Sequence, residues 1–132
     1  MNVLVDTNVI VRLLVQDDLK QLGELVNLLD TGKINLVVTP FVVIESCWVL
    51  KSRYQIPSSA IAKALLAFLQ SDEVMNEDSY IEEALERFAE KNVDILDAYL
   101  SVRSKSLKIP VLTWDKDFRK LDCEFYTPTE LN

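Results

Sequence analysis

The chain has 132 residues, 49% of them apolar, and its 21 acidic against 14 basic residues give a formal net charge of −7. We expect a chain of this length to fold as one domain, residues 1–132, whose core needs no disulfide or metal for folding. It contains no histidine, which excludes imidazole as a catalytic base, nucleophile or zinc ligand. Any catalysis must use carboxylates, hydroxyls, amines, a thiol, or a metal held by oxygen.

Cysteine content and hydropathy indicate the cellular context. The two cysteines, Cys47 and Cys123, do not form the set of close spacings typical of a secreted disulfide scaffold. This favours a reducing, cytoplasmic compartment. No basic leader precedes the first apolar segment, and no stretch of about 18 uncharged apolar residues occurs, so we expect neither a signal peptide nor a membrane span.

The chain alternates between short apolar segments and segments of helical periodicity. Strands are predicted at 2–5, 34–38, 73–75, 109–113 and 124–126. Helices are predicted at 8–15, 17–29, 39–54, 58–69, 77–91 and 94–107, with a helical turn at 115–120. Gly32 suits the left-handed position that ends a helix, and Thr39 followed by Pro40 is typical of a helix N-terminus.

Strands separated by helices in this way indicate an α/β fold of three layers, with a mostly parallel sheet covered by helices on both faces. The chain has only two glycines, so it cannot contain the glycine-rich loops of nucleotide-binding proteins. Residues 72–90 hold eight acids and one base, Arg87. We interpret this acidic run as the solvated face of a helix.

Two aspartates follow predicted strands. Asp6 ends the first strand, and Asp115 follows the strand that ends at Thr113. In parallel sheets ligands collect at the carboxyl ends of the strands, so these carboxylates converge if their strands are neighbours. The alternative for each is a simple role as the N-cap of the next helix.

Two further acids lie among apolar helical neighbours. Glu45 is the only charge in the segment 41–50, and Asp97 opens a helix beside Leu96 and Leu100. A carboxylate that faces the core needs a partner or a cation. The alternatives are a salt bridge from Glu45 to Arg12, Lys51 or Arg53, and for Asp97 a favourable position at the helix N-terminus.

These segments together resemble the PIN domain, a family of metal-dependent ribonucleases, and within it the small VapC-like toxins of toxin–antitoxin pairs. The resemblance rests on Asp6-Thr7-Asn8 after a strand, on Glu45, on Asp97-Ala98, and on residues 113–118, Thr-Trp-Asp-Lys-Asp-Phe. It covers nearly the whole chain. Departures from the family pattern are small: no glycine precedes Asp94, and Ser101-Val102-Arg103 replaces a run of small residues.

The resemblance implies a five-stranded sheet in the order 3-2-1-4-5 and a catalytic quartet that binds Mg²⁺ or Mn²⁺, formed by Asp6, Glu45, Asp97 and Asp115. Thr7, Asn8, Thr113 and Asp117 would orient these carboxylates and their waters. The products would carry a 5′-phosphate and a 3′-hydroxyl. The resemblance further implies a homodimer silenced by an antitoxin protein, for which the apolar helices at 9–15 and 19–29 offer a surface, unless they are ordinary core.

RNA would also need cationic side chains beside the acids, and we expect Arg12, Arg103 and Lys116 to contact phosphates. Trp48 and Trp114 are expected in the core rather than as stacking platforms for bases.

Other classes fit the sequence less well. A phosphorelay receiver needs a pair of acids after the first strand and a Lys-Pro near the last, and a HAD-type phosphatase needs Asp-x-Asp where this chain has Asp-Thr-Asn. The main alternative is a catalytically idle PIN-type module that binds RNA or protein. Such modules commonly lack one of the four acids, and all four are present here.

Overall fold

The structure is a computed structural model that describes residues 1–132. It divides into two compact units, residues 1–78 and 79–132. None of its helices combines the length and the apolar character needed to cross a bilayer.

The first unit contains a parallel sheet and four helices. Its elements in chain order are β1 Asn2–Leu4, α1 Thr7–Val15, α2 Leu19–Asp30, β2 Asn35–Val38, α3 Pro40–Ser52, α4 Ser58–Leu69 and β3 Val74–Asn76. The strand order is β1-β2-β3, and both pairs are parallel. Because parallel neighbours run in the same direction, α1 after β1 and α3 after β2 both begin at the carboxyl edge of this sheet.

Apolar side chains from each layer of this unit are fully buried. Ile10 of α1, Val38 of β2, Val43 of α3 and Leu65 of α4 have no exposed surface. Helix α1 packs on α3, and α3 packs on α4. Gly32, just after α2, has the predicted positive φ, +70°. The chain then continues from this left-handed turn into β2.

Helix α2 is different, because none of its residues is buried. Of its apolar side chains, Leu19, Val26 and Leu28 are 77%, 38% and 40% exposed, whereas Leu22, Leu25 and Leu29 are half-buried. The helix packs beside α1, and part of its apolar surface remains in contact with solvent.

The second unit pairs two helices with a short parallel sheet. Its elements are α5 Tyr80–Glu90, α6 Ile95–Leu107, β4 Val111–Leu112, a 3₁₀ helix Lys116–Lys120, β5 Phe125–Tyr126 and a second 3₁₀ helix Pro128–Leu131. Helix α5 packs on α6, and Ile81, Leu85 and Ile95 are fully buried. Glu83, Glu86 and Glu90 are exposed, as expected for a solvated acidic face.

The α/β class, the parallel strand direction and the position of every predicted element agree with the structure. The predicted single five-stranded sheet in the order 3-2-1-4-5 does not agree with the structure. The strands form a three-stranded sheet, β1-β2-β3, and a separate two-stranded sheet, β4-β5. Strands β4 and β5 have only two residues each, and the amides of Val111 and Thr113 donate to Glu124 and Tyr126 of the β5 segment.

Candidate active site

Asp6 lies where β1 passes into α1. It is the N-cap of α1, with extended backbone (φ −89°, ψ 158°), and its Oδ1 accepts a hydrogen bond from the Thr7 amide at 2.8 Å. This is the capping role that the sequence left open. Since the side chain is exposed and capping engages one oxygen, the second oxygen is free to bind a ligand.

Thr7 joins Asp6 to Glu45. Its side chain is 5% exposed, and its hydroxyl donates a short hydrogen bond to Oε1 of Glu45, 38 positions along the chain. The two residues meet because α1 and α3 begin at the same edge of the sheet. Thr7 therefore fixes one oxygen of the Glu45 carboxylate and adds no positive charge.

The expectation that Glu45 faces the core is wrong, because its carboxylate is exposed. Its helical neighbours Phe41 and Trp48 are 77% and 44% exposed, so this apolar face of α3 is open, and the buried face carries Val43, Cys47 and Leu50. The alternative of a salt bridge to Glu45 is also not observed. Arg12 pairs with Asp17 instead, and Glu45 makes no ion pair.

A cavity of about 280 Å³ lies beside these acids. Its polar lining consists of Asp6, Thr7, Asn8, Arg12, Glu45, Arg53 and Tyr54. The structure thus brings two of the four predicted acids together with Arg12, which the sequence placed at the rim of the site. The cavity combines carboxylates with guanidinium groups.

Arg12 is held by residues that the sequence did not single out. Its Nη1 donates to Oδ1 of Asp17 at 2.8 Å and its Nε donates to Oε1 of Gln21 at 2.9 Å. The hydroxyl of Tyr54 donates to the other oxygen of Asp17 at 3.0 Å. No local pattern signals this contact, because Tyr54 and Asp17 lie 37 positions apart.

The second unit has its own group of acids. Asp97 lies in the first turn of α6 and is partly buried. Burial first, and then the negative charges of Asp115, Asp94 and Asp117, raise the pKa of Asp97 to about 6. These carboxylates are therefore close enough to repel one another, and a cation would relieve that repulsion.

Asp115 follows β4 and caps the 3₁₀ helix. Its Oδ1 accepts from the Asp117 amide at 2.8 Å, and its own amide donates to the Thr113 hydroxyl at 2.9 Å. Thr113 and Asp117 thus fix the backbone around Asp115. The carboxylate of Asp117 also forms an ion pair with Lys120 at 3.6 Å. This ion pair makes the Asp117 carboxylate less available for a cation than the Asp115 carboxylate.

The remaining predicted residues are at the surface or partly buried. The guanidinium of Arg103 stacks over the ring of Tyr80 at 4.5 Å, and Lys116 is exposed. The expectation that both tryptophans are core residues is wrong, because Trp114 is 79% exposed and Trp48 is 44% exposed. Trp114 stands on the turn between β4 and Asp115, where no element covers it.

None of the four predicted acids has a cationic partner within the chain. The four ion pairs of the structure engage Asp17, Glu83, Asp122 and Asp117, and none involves Asp6, Glu45, Asp97 or Asp115. Oxygen-only ligands of this kind suit a hard divalent cation such as Mg²⁺ or Mn²⁺. No group of three or more acidic or cysteine side chains has the arrangement to hold a metal ion.

Comparison with known proteins identifies the family. The model of the PIN domain matches residues 3–123, a range that includes all four of these acids. PIN domains are generally nucleases, and these nucleases typically use divalent metal ions. No curated protein matches the chain. Because the family model covers well over half of the sequence, the chain belongs to the PIN domain family.

Proposed function

We propose that this PIN domain is a metal-dependent endoribonuclease that hydrolyses RNA phosphodiester bonds. The observation that carries the proposal is the set of carboxylates without a cationic partner. Asp6 and Glu45 line one cavity, and Asp97 interacts with Asp115. Chains seldom keep unpaired acids so close together unless a cation binds there.

Asp6, Glu45, Asp97 and Asp115 are the residues that would hold Mg²⁺ or Mn²⁺. The bound cation would lower the pKa of its water and neutralise charge that develops on the phosphate. Asp97 must lose its proton to serve as a ligand, and its pKa of about 6 allows this at neutral pH.

The chain's other residues orient these acids. Thr7 holds one oxygen of Glu45, and Thr113 fixes the backbone at Asp115. Asn8 lines the cavity with Asp6 and would bind water there. Arg12, Arg103 and Lys116 would contact RNA phosphates, and the products would carry a 5′-phosphate and a 3′-hydroxyl.

We further propose that the protein is the toxin of a toxin–antitoxin pair and acts as a homodimer. The observation that favours an interface is helix α2, which has no buried residue and leaves Leu19 77% exposed. A small monomer seldom leaves an apolar helix uncovered. A second copy or an antitoxin would cover this surface.

A catalytically idle PIN module is the second candidate. It is favoured by the absence of any complete metal-binding group within the structure. An idle module would still bind RNA or protein, but it would not cut. Measurement of cleavage separates the two candidates directly.

The test is cleavage of RNA by the purified protein with Mg²⁺ or Mn²⁺, with sequencing of the 5′-monophosphate ends. We expect Asp6→Asn and Asp97→Asn to lower the rate by about 100-fold or more, because each removes a metal ligand. Asp30→Asn is the matched control, since Asp30 is an exposed acid at the end of α2. Wild-type rates in Asp97→Asn, or no metal-dependent cleavage by wild type, would contradict the proposal.

A further inference from the structure

The cavity beside Asp6 and Glu45 has a cationic wall whose geometry is fixed by the chain itself. Arg12 and Arg53 line this wall, and the contacts that hold Arg12 come from three separate segments. Asp17 lies in the turn after α1, Gln21 lies in α2, and Tyr54 follows α3. Such a network indicates a binding role for Arg12 that differs from that of an ordinary surface arginine.

The turn after α1 brings Asp17 to Arg12. Gln16 adopts a left-handed conformation, with φ +60°, and its amide donates to the Arg12 carbonyl at 3.1 Å. A residue other than glycine is rarely found in this conformation. The reversal places the Asp17 carboxylate 2.8 Å from Nη1 of Arg12, and the Tyr54 hydroxyl fixes the other carboxylate oxygen.

These contacts leave part of the guanidinium available. Of the five N–H groups of an arginine, the contacts to Asp17 and Gln21 engage one on Nη1 and the one on Nε. Neither contact engages the Nη2 group, and the Arg12 side chain is 36% exposed. A guanidinium fork with free N–H groups matches the paired oxygens of a phosphate.

We propose that Arg12 binds a backbone phosphate of the RNA next to the acids, and that Asp17 and Tyr54 are positioning residues that hold its guanidinium in that orientation. Arg53, on the same wall, supplies a second cation. An ion pair as exposed as Arg12–Asp17 contributes little to folding stability, so its main effect is on the geometry of Arg12. This inference rests on the proposed action on RNA, but it concerns binding and not cleavage.

The test measures the binding of a fluorescein-labelled single-stranded oligouridine by anisotropy, in EDTA, over a range of salt concentrations. Arg12→Ala should weaken binding about tenfold and lower the salt-dependence slope by about 0.7, as expected for one lost phosphate contact. Arg12→Lys should not restore the affinity, because lysine lacks the fork. Lys63→Ala is the matched control, since Lys63 is exposed on α4.

The positioning role is tested by Asp17→Asn and Tyr54→Phe. Asp17→Asn removes a negative charge, so electrostatics alone predicts tighter RNA binding, as in the control Asp30→Asn. Positioning predicts weaker binding, by about threefold in both variants, with the salt slope unchanged because Arg12 keeps its charge. Tyr54→Phe preserves the ring and all charges, so it remains informative if a variant at Arg12 does not fold.

Tighter binding by Asp17→Asn, or an Arg12→Ala affinity equal to that of Lys63→Ala, would overturn the inference. Thermal melting of each variant separates a loss of binding from a loss of fold. The proposed nuclease activity is judged separately. Arg12-dependent binding without cleavage by wild type would refute the nuclease, and cleavage with no effect of Arg12→Ala on binding would refute only the role of Arg12.

Discussion

Glu45 is oriented by a hydroxyl and not by a cation, because Thr7 donates to it from the first turn of α1. A hydroxyl fixes the direction of a carboxylate and leaves its charge intact, whereas a lysine or arginine would neutralise that charge. The same holds at Asp6 and Asp115, whose hydrogen bonds come from uncharged backbone amides. At all three residues, the local contacts come from uncharged groups and leave the charge of the carboxylate intact.

Asp97 gives the clearest electrostatic prediction at the residue scale. Its pKa is raised from 3.8 to about 6, by burial and then by Asp115, Asp94 and Asp117. The folded protein therefore holds this proton more tightly than the unfolded chain. Protonation stabilises the fold below about pH 4, and that contribution is lost as the pH rises through about 6.

In EDTA at pH 7, Asp97→Asn should therefore raise the free energy of unfolding. The pKa difference corresponds to about 3 kcal/mol, and solvent screening of this partly exposed group reduces the expectation to about 1 kcal/mol. Urea unfolding at pH 4 and pH 7 measures the effect, with Asp30→Asn as the control. Equal free energies of unfolding for wild type and Asp97→Asn at both pH values would show that the fold does not disfavour the charged form of Asp97.

At the scale of elements, periodicity predicts the helices and strands to within a few residues. The acidic helix α5 begins at Tyr80, three residues after its predicted start, and Pro40 begins α3 as expected. The one-sheet arrangement is wrong, because residue pattern gives strand positions but does not determine which strands share hydrogen bonds. A strand as short as β4, with two residues, has too few residues for its sequence to indicate which strand it pairs with.

The candidate site was predictable to the extent that its residues follow strands. Asp6 and Asp115 were identified because they come after apolar segments and lie at helix starts. The exposure of Glu45 was not predictable, because the sequence of an apolar helical face does not show whether another element packs on it or leaves it exposed to solvent. The contact of Tyr54 with Asp17 depends on how α1 and α3 pack, which sequence spacing does not encode.

The proposed homodimer can be tested at helix α2. If a second copy covers Val26 and its neighbours, Val26→Glu should convert a dimer to a monomer of 15.1 kDa, because a buried charge disfavours association. Light scattering after size-exclusion chromatography measures the mass. Asn27→Glu, on the same helix, is the matched control, and a wild-type mass of 15.1 kDa at all concentrations would contradict the homodimer.

At the scale of the whole molecule, the charge distribution constrains how RNA could bind. Eight of the 21 acids lie in residues 72–90 beside a single base, so the remaining residues carry 13 acids and 13 bases and are neutral overall. A chain with a net charge of −7 does not attract RNA as a whole. Under the proposed function, RNA binding would therefore depend on local cations such as Arg12.

The central claim, that the predicted acids bind a divalent cation, is tested most directly by thermal melting in EDTA and in increasing Mn²⁺. Wild type should be stabilised by about 2.7 kcal/mol when Mn²⁺ is at 100 times its dissociation constant. Asp6→Asn and Asp97→Asn should each lose most of this effect, because each removes a carboxylate that would hold the cation. Asp30→Asn should behave as wild type. No stabilisation of wild type, or the full wild-type stabilisation in both variants, would contradict the claim.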